Sequence, residues 1–467
     1  MTLTPDICVI GGGSAGLTVA AAASSFGHKV VLVERGKMGG DCLNYGCVPS
    51  KALIAAAKHA HAIVAGGPFG ITGTVAVDYA KVHDHIHSVI AAIAPHDSVE
   101  RFEGLGVTVI KDEAHFVDDA TVMAGTTAIK ARRTVIATGS SPFVPPIEGL
   151  SDIDPLTNES VFDLTNLPAR LAIIGGGPIG AELSQAFARL GSTVTVVEAA
   201  TFLSREDPDA VAIVRKSLER DGVRLLEGAA VERCERAGEG ARLYLGDGST
   251  VEADKVLVAV GRTPNIASLN LGAAGIEADR SGITVDTGLR TTNRRVYAIG
   301  DVAGGLQFTH VAGHQASLAV RSIVFRLPVR YDADMMPRTT YTAPEVAQVG
   351  LSEAEASARD PKAKAYRADL SGNDRAQTEN ATEGFLKLVV NGKGKLVGAT
   401  VVAPTAGDII STYALALAGK VPLKTIASFT PAYPTLAEAG KRAAVLHFAQ
   451  KLGQGWVKTV LGILKRF

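Results

Sequence analysis

A pattern of strand, glycine-rich turn, helix and strand occurs twice in this chain, and it constrains the fold more than any other feature. In the first copy the turn spans residues 11–16, and Glu34 ends the following strand 23 residues after Gly11. In the second copy the turn spans residues 175–180, and Glu198 stands at the same spacing from Gly175. The two copies indicate an internal duplication of one βαβ unit.

The spacing of the glycines indicates what each copy binds. A Gly-x-Gly-x-x-Gly turn lets the backbone approach a pyrophosphate, which the helix N-terminus then holds, while the acidic residue binds a ribose diol. One such turn is a weak signal, because similar turns also serve helix packing. Two copies with acids at equal spacing predict two dinucleotides, a flavin beside a nicotinamide cofactor, which is the usual pairing for hydride transfer.

Two of the four cysteines, Cys42 and Cys47, stand five residues apart. On an ideal helix their Cα atoms would be about 8–9 Å apart, whereas a disulfide tolerates only about 6.8 Å. A redox pair therefore requires Cys42 in an irregular turn, with Gly46 supplying freedom and Cys47 opening the helix, where its thiol ionises readily. Two unrelated buried cysteines, or a zinc site that would need two more ligands, are the alternatives.

Composition narrows the class of protein. The 467 residues predict about three domains, and 47 basic against 47 acidic residues leave no net charge to attract nucleic acid. Residues 7–27 carry no charge, but four glycines interrupt them, so a nucleotide-binding turn explains them better than a membrane span. Few cysteines and no secretory segment predict a soluble cytoplasmic protein.

Eight segments together resemble the pyridine nucleotide–disulfide oxidoreductases of the dihydrolipoamide dehydrogenase, glutathione reductase and mercuric reductase type. The resemblance covers nearly the whole chain, and the segments are residues 11–16, 39–51, 137–140, 175–182, 260–265, 299–302, 341–346 and 429–438. It implies an α/β fold with two Rossmann-like dinucleotide-binding domains and a C-terminal α+β dimerisation domain. The expected division is residues 1–145 and 270–335 for FAD, 146–269 for NAD(P), 336–450 for dimerisation and 451–467 as an amphipathic tail.

The resemblance also implies the site residues. Electrons would pass from NAD(P)H through FAD to a Cys42–Cys47 disulfide, with Cys47 facing the flavin and Cys42 exchanging with substrate. Lys51 would pair with Glu182 near the flavin ring. The remaining expected residues are Tyr433 and Glu438 for catalysis, Gly11, Gly13, Ser14, Gly16, Glu34, Gly40, Lys51, Thr138, Gly139 and Asp301 for FAD, and Gly175, Gly177, Gly180, Glu198 and Gly261 for NAD, with NADH preferred over NADPH. A homodimer would bring residues 429–438 into the partner's active site.

One departure from the family pattern concerns the acceptor. Members resembling dihydrolipoamide dehydrogenase use a histidine as general acid–base where this chain has Tyr433, and a phenol with a pKa near 10 cannot replace it near neutrality. Mercuric reductases have a tyrosine there, but they also end in a cysteine pair, and this sequence has no cysteine after Cys234. We therefore expect a metal or other non-dithiol oxidant. A dihydrolipoamide-dehydrogenase-like activity and a flavin-bearing redox sensor or docking protein are the alternatives.

Two further features remain. The pairs His83 and His87, and His310 and His314, each share a helical face, but two histidines do not complete a metal site, so no metal is expected. In the tail, apolar residues recur on one helical face beside three cations, which suits weak membrane-surface contact or packing on the dimer. The apolar residues are Trp456, Val460, Leu464 and Phe467, and the cations are Lys458, Lys465 and Arg466.

Overall fold

A computed structural model describes residues 1–452 and 455–465. The chain divides into two compact units. The first consists of Met1–Thr201 and Arg224–Ala333, and the second of Phe202–Val223 and the residues from Asp334 onward.

The first unit contains short, mostly buried strands. In chain order they are β1 (Thr2–Leu3), β2 (Ile7–Ile10), β3 (Val30–Val33), β4 (Thr108–Ile110), β5 (Ala114–Phe116), β6 (Val122–Ala124), β7 (Thr127–Ile129), β8 (Arg133–Ile136), β9 (Ser140–Pro142), β10 (Arg170–Ile174), β11 (Thr193–Glu198), β12 (Arg224–Glu227), β13 (Val231–Ala237), β14 (Gly240–Leu245), β15 (Thr250–Ala253), β16 (Lys255–Val258), β17 (Arg262–Pro264), β18 (Ala278–Asp279), β19 (Gly282–Ile283) and β20 (Val296–Ala298).

The helices belong to both units. In chain order they are α1 (Ser14–Ser25), α2 (Gly40–Asn44), α3 (Cys47–Val64), α4 (Tyr79–Ile93), α5 (Val99–Gly104), α6 (Pro178–Leu190), α7 (Pro208–Arg220), α8 (Thr309–Val324), α9 (Glu353–Arg359), α10 (Asp374–Thr378), α11 (Ala406–Ala418), α12 (Leu423–Ser428), α13 (Glu438–Leu452) and α14 (Gly455–Leu464). Of these, α7 and α9–α14 belong to the second unit.

Two parallel sheets in the first unit repeat one arrangement. The first has the strand order β20-β8-β2-β3-β4, and the second has the order β12-β11-β10-β16. In each sheet the chain leaves a central strand, β2 or β10, through a glycine turn into α1 or α6, and returns as the adjacent parallel strand. Their strands are rich in Val, Ile and Leu and fully buried at β2 and β3, as parallel sheets require.

The apolar run of residues 256–262 does not form one continuous strand. Strand β16 ends at Val258 and β17 begins at Arg262. Gly261 lies between them with a φ of 145°, a conformation that redirects the chain and that few residues other than glycine adopt. Strand β17 instead pairs antiparallel with β9.

The second unit is built on an antiparallel sheet. Its strands β21 (Arg338–Thr340), β22 (Glu345–Gly350), β23 (Lys364–Asp369), β24 (Phe385–Val390) and β25 (Leu396–Ala403) lie in the order β21-β22-β25-β24-β23. Buried side chains of β22–β25 form one core with residues of α11, α12 and α13. An antiparallel sheet with helices packed on it is an α+β arrangement.

Residues 202–223 fall inside the predicted 146–269 segment, yet they belong to the second unit. Lys387 of β24 explains why, because its Nζ atom lies 2.9 Å from Oδ2 of Asp207 and 2.9 Å from Oδ2 of Asp209. The Lys387 and Asp207 side chains are 7% and 3% exposed, so this ion pair is buried. The Ser217 hydroxyl also donates to the carbonyl oxygen of Ala343 at 2.5 Å.

The tail contains the short helix α14. Val460, Leu461, Ile463 and Leu464 are exposed on it. Arg466 and Phe467 of the predicted amphipathic face lie outside the described residues, and the side chains of Trp456 and Lys458 are likewise not described. Within the described part of the chain, no helix is long and apolar enough to cross a membrane.

Candidate functional site

The two glycine turns have the same backbone geometry. Gly11 and Gly175 have φ angles of 110° and 112°, in a region that side chains rarely adopt. A Cβ atom on either would also collide with a carbonyl oxygen, that of Ala137 or that of Ala259. Each turn therefore brings its backbone against the neighbouring parallel strand.

The third glycine of each turn permits close packing of the helix that follows. A Cβ atom on Gly16 would overlap the carbonyl oxygen of Gly11, and one on Gly180 would overlap that of Gly175. In the first copy, Gly13 and Gly40 also approach each other, since a Cβ on Gly40 would lie 2.7 Å from the Cα of Gly13.

Glu34 and Glu198 are held in the same way in the two copies. The Glu34 carboxylate accepts hydrogen bonds from the backbone N–H groups of Gly12 and Gly36, both at 2.5 Å. The Glu198 carboxylate accepts from Gly176 at 2.6 Å and Ala200 at 2.7 Å. Each acid is thus fixed at the mouth of its own turn, where a ribose diol would donate hydrogen bonds to it.

The first copy fits the pyrophosphate of FAD. Helix α1 begins at Ser14, its N-cap residue Gly13 offers no side-chain cap, and Gly40 leaves the adjoining space free of side chains. Backbone N–H groups at such a helix start favour an anion. In the second copy, Gly177 precedes α6 in the equivalent place and a Cβ on it would meet nothing within 4 Å, so this turn has room for a second dinucleotide.

Asp301 lies where a network of polar groups meets. It accepts a hydrogen bond from the Ser140 hydroxyl at 2.6 Å, and burial raises the pKa of its carboxyl. Arg262, whose side chain is 11% exposed, donates to Ser140 and forms an ion pair with Asp41 at 3.0 Å. Asn158 donates to Asp41 at 3.0 Å. Asp41, the residue before Cys42, is thus connected through Arg262 and Ser140 to Asp301, the aspartate expected to bind FAD.

Two other predicted positions lie beside this network. Thr138 donates through its hydroxyl to the carbonyl oxygen of Asn265 at 2.7 Å, and the Asn265 side chain returns a bond to the carbonyl of Thr138 at 3.0 Å. The carbonyl of Gly139 accepts from the Asn265 N–H at 3.0 Å, and that of Gly261 accepts from the N–H of Phe143 at 2.9 Å. These bonds hold the loops that follow β8 and β16.

Cys42 and Cys47 lie on two different helices. Cys42 is in the five-residue helix α2, and the prediction that Cys47 opens a helix is confirmed, because α3 begins there. Gly46 separates the two helices, with a φ of −120° and a ψ of −113°. A Cβ atom there would lie 2.9 Å from a carboxylate oxygen of Asp41, so the position has room only for a small residue.

The two thiols are polarised against each other. A hydrogen bond from Cys42 lowers the pKa of Cys47 to about 6, and Thr309 and the Lys51 charge act in the same direction. The same hydrogen bond, together with burial, raises the pKa of Cys42. The Thr309 hydroxyl, at the first position of α8, lies 3.4 Å from the Cys47 sulfur. Cys47 is therefore the group that ionises first.

Lys51 and Glu182 form the predicted ion pair. The Lys51 Nζ lies 2.5 Å from Oε2 of Glu182, whose side chain is only 8% exposed. Lys51 is one turn beyond Cys47 on α3, and Glu182 is on α6, so the pair joins the cysteine helix to the first helix of the second βαβ unit.

Tyr433 and Glu438 belong to the second unit. Tyr433 is exposed, and its hydroxyl donates to the Asp374 carboxylate at 3.0 Å. That bond raises the pKa of Tyr433. Glu438 begins α13 and accepts a hydrogen bond from the N–H of Thr435 at 3.2 Å.

The histidine pairs do not assemble a metal site. The rings of His83 and His87 lie 4.2 Å apart, and His87 contacts the carbonyl oxygen of Phe162 at 3.2 Å. His310 instead stacks on Phe308. Among the described residues, no group of three or more His, Cys, Asp or Glu side chains is placed to hold a metal ion.

Sequence reasoning missed the partners that act across the fold. Thr309 beside Cys47, Arg262 beside Asp41, and Asp374 beside Tyr433 all lie far along the chain from the residues they contact. Arg262 lies in the segment 260–265 and Thr309 adjoins His310, whereas no motif of the sequence lies near Asp374. No spacing rule connects such pairs.

Comparisons with known proteins agree with this geometry. The family described as "Pyridine nucleotide-disulphide oxidoreductase" matches residues 5–316, and its dimerisation domain matches residues 336–444. A mercuric reductase from Staphylococcus aureus is 36% identical over 449 residues, which cover 94% of this chain and 82% of the relative. A dihydrolipoyl dehydrogenase from Geobacillus stearothermophilus is 36% identical over 451 residues, which cover 94% of this chain and 95% of the relative.

A solved structure is similar along nearly the whole chain. It is the Cu(II) complex of the HOCl-induced flavoprotein disulfide reductase RclA from Escherichia coli, with a TM-score of 0.84 and 27% sequence identity. The similarity covers 93% of this chain and 98% of RclA.

Proposed function

Because the chain belongs to the pyridine nucleotide-disulphide oxidoreductase family, we propose that Cys42 and Cys47 carry electrons from NAD(P)H and FAD to a metal ion or another non-dithiol oxidant. Members of this family are enzymes that use FAD and NAD(P)H, which favours catalysis over the flavin-bearing sensor. The observation that carries the proposal is the thiol pair, in which Cys47 has a pKa of about 6 and Cys42 remains protonated beside it.

Bound FAD supplies the chemistry of accepting a hydride from NAD(P)H and delivering two electrons to the cysteine disulfide. The chain's own residues manage the resulting charges. The S–S bond takes up two electrons and one proton, which leaves Cys42 as a thiol and Cys47 as a thiolate. Lys51 and Thr309 stabilise that thiolate. Transfer of two electrons to one Hg(II), or to two Cu(II), re-forms the disulfide and releases the one proton held by Cys42.

Tyr433 supports an acceptor that is not a dithiol. Its hydroxyl proton is engaged with Asp374, and the raised pKa of the phenol keeps it from exchanging protons near neutrality. The similarity to mercuric reductases, and to a disulfide reductase solved with Cu(II), supports a metal ion as that acceptor. Glu438 and the similarity to dihydrolipoyl dehydrogenase support the alternative activity on dithiols.

The proposal also covers the oligomeric state, the nicotinamide nucleotide and the cellular location. The match of residues 336–444 to the family's dimerisation domain supports a homodimer that acts on a small-molecule or metal oxidant. We propose that each active site includes the partner subunit's 429–438 segment, that Glu198 selects NADH, and that the enzyme works in the cytoplasm. The comparisons lend no support to membrane contact by the tail.

The test uses purified, FAD-loaded protein with NADH as donor. Reduction of Cu(II), followed with a Cu(I) chelator, and of Hg(II) should exceed reduction of lipoamide and of glutathione disulfide. It should be lost in Cys42→Ser and in Cys47→Ser, while Cys234→Ser, which alters a buried cysteine outside the site, should keep it. Turnover of lipoamide equal to that of the metal ions would establish the alternative.

A further inference from the structure

The side chain of Tyr433 is oriented by one carboxylate rather than by packing. Within one chain the residue is 72% exposed, so its ring has few neighbours there, yet its hydroxyl donates to Oδ2 of Asp374 at 3.0 Å. Asp374 is the first residue of α10 and stands 59 positions earlier in the chain. A single hydrogen bond to a charged acceptor therefore sets the direction of the phenol.

Asp374 is itself held by a buried neighbour. Asn373, 5% exposed, accepts from the N–H of Ala376 at 3.0 Å and so caps α10. The same side chain donates to the carbonyl oxygen of Thr435 at 3.0 Å. Glu438 accepts from the N–H of Thr435 on the other side of the turn. The turn that carries Tyr433 is thus fixed to the helix that carries Asp374.

This arrangement decides what the phenol can offer to a molecule that approaches it. A phenol has one proton to donate and lone pairs that accept. Since the proton is directed to Asp374, only lone pairs remain for a ligand. Among the described residues of the same chain, Asp374 and Glu438 are the charged groups that shift the pKa of Tyr433, and both are acidic. The position therefore favours a cation and disfavours a leaving thiolate, which needs a proton.

We propose that Asp374 is a positioning residue that makes Tyr433 a lone-pair donor to a cationic electron acceptor. This inference rests on the proposed function, because it assumes that Tyr433 faces the acceptor. It deepens that function by assigning specificity for cations over disulfides to a residue that acts through Tyr433.

The first experiment measures the phenol directly and requires no turnover. Absorbance at 295 nm is titrated with alkali in the wild type and in Tyr433→Phe, and the difference gives the midpoint of Tyr433. We expect a midpoint above about 10, the usual value for tyrosine, that falls towards 10 in Asp374→Asn. The matched control is Glu379→Gln, which removes an acid directly after the same helix that pairs with Arg375 at 2.5 Å. An unchanged midpoint in Asp374→Asn would overturn the proposal.

The second experiment measures specificity. With NADH as donor, Asp374→Asn should raise KM for Cu(II) about thirtyfold, the effect of one unit charge on a doubly charged ion about 4 Å away in water, with kcat changed less. Asp374→Glu should restore part of the loss, and turnover with ferricyanide, an anion that a lone-pair donor between two acids does not favour, should not fall. Equal KM values for Cu(II) in the wild type and Asp374→Asn would overturn the assignment of specificity.

The two experiments also separate this inference from the proposed function. Asp374 is exposed, so its variants should fold. If the wild type fails to reduce Cu(II) while the titration still moves in Asp374→Asn, the acceptor is wrong but the pairing of Asp374 with Tyr433 stands.

Discussion

The Nζ atom of Lys51 lies 2.5 Å from a carboxylate oxygen of Glu182. Lys51 lowers the pKa of Cys47, whereas the charge of Glu182 raises it. The ion pair therefore acts on Cys47 through two opposed charges. Removing Lys51 should raise the pKa of Cys47, and removing Glu182 should lower it.

The pKa of Cys47 should respond in order of these contacts. In the reduced protein, alkylation of Cys47 by iodoacetamide should follow a midpoint near pH 6. Cys42→Ala should raise the midpoint most because it removes the main hydrogen bond, Lys51→Met should raise it less, and Glu182→Gln should lower it. Mass spectrometry of the alkylated peptide distinguishes the two cysteines. A wild-type midpoint at the usual thiol value near 8.5 would contradict this prediction.

Glu198 should determine the choice of nicotinamide nucleotide. Its carboxylate is fixed by the N–H groups of Gly176 and Ala200, so it cannot swing away from a 2′-phosphate. We expect kcat/KM to favour NADH, and Glu198→Ala to shift the ratio towards NADPH by about tenfold through loss of charge repulsion. Glu34→Ala, the equivalent change in the first copy, should weaken FAD retention and leave the nucleotide ratio unchanged. A wild type that uses NADPH as well as NADH would refute the prediction.

Tyr433→His should raise activity with dihydrolipoamide. An imidazole at this position would exchange protons near neutrality, and general acid–base catalysis contributes about 10²–10⁴-fold. Oxidation of dihydrolipoamide with NAD⁺ as acceptor measures the gain, and Tyr433→Phe serves as the control that adds no acid–base group. Wild-type turnover already typical of a dedicated dehydrogenase would show that the histidine is not needed.

Lys387→Met should destabilise the second unit. It leaves Asp207 buried without its cation, and such a loss costs about 3–5 kcal/mol of the free energy of unfolding. Lys364→Met, on the exposed end of the neighbouring strand β23, should change stability by less than about 0.5 kcal/mol. Urea unfolding followed by circular dichroism measures both.

The pH dependence of stability should also distinguish Lys387→Met from the wild type. The hydrogen bond from Lys387 lowers the pKa of Asp209, so its contribution to stability is present above the unfolded carboxyl pKa and is lost as pH falls. Lys387→Met should therefore lose less stability than the wild type between pH 6 and pH 3. Parallel losses in the two proteins would exclude the ion pair as the cause.

The repeated turns could be predicted because their determinants are local. Positive φ at Gly11 and Gly175, and acids that bind the N–H groups of their own turns, all follow from spacing within one βαβ unit. The start of α3 at Cys47 is local in the same sense.

The partners of these residues could not be predicted in this way. Thr309 stands 262 positions after Cys47 and meets it only because α8 and α3 converge in the folded unit. Contacts of this kind depend on tertiary packing, which one sequence does not encode as a pattern.

The passage of residues 202–223 into the second unit limits how this protein can be recombined with its relatives. A chimera joined only near residue 335 would separate Asp207 from Lys387, and Glu206 from Arg338, whose side chains lie 3.5 Å apart. The buried carboxylates of Glu206 and Asp207 would then face side chains from another protein, which did not evolve to pair with them. Exchange of the residues from Asp334 onward should succeed only when the segment Phe202–Val223 is transferred with them. The second unit is therefore exchanged as two separate stretches of sequence that must come from the same parent.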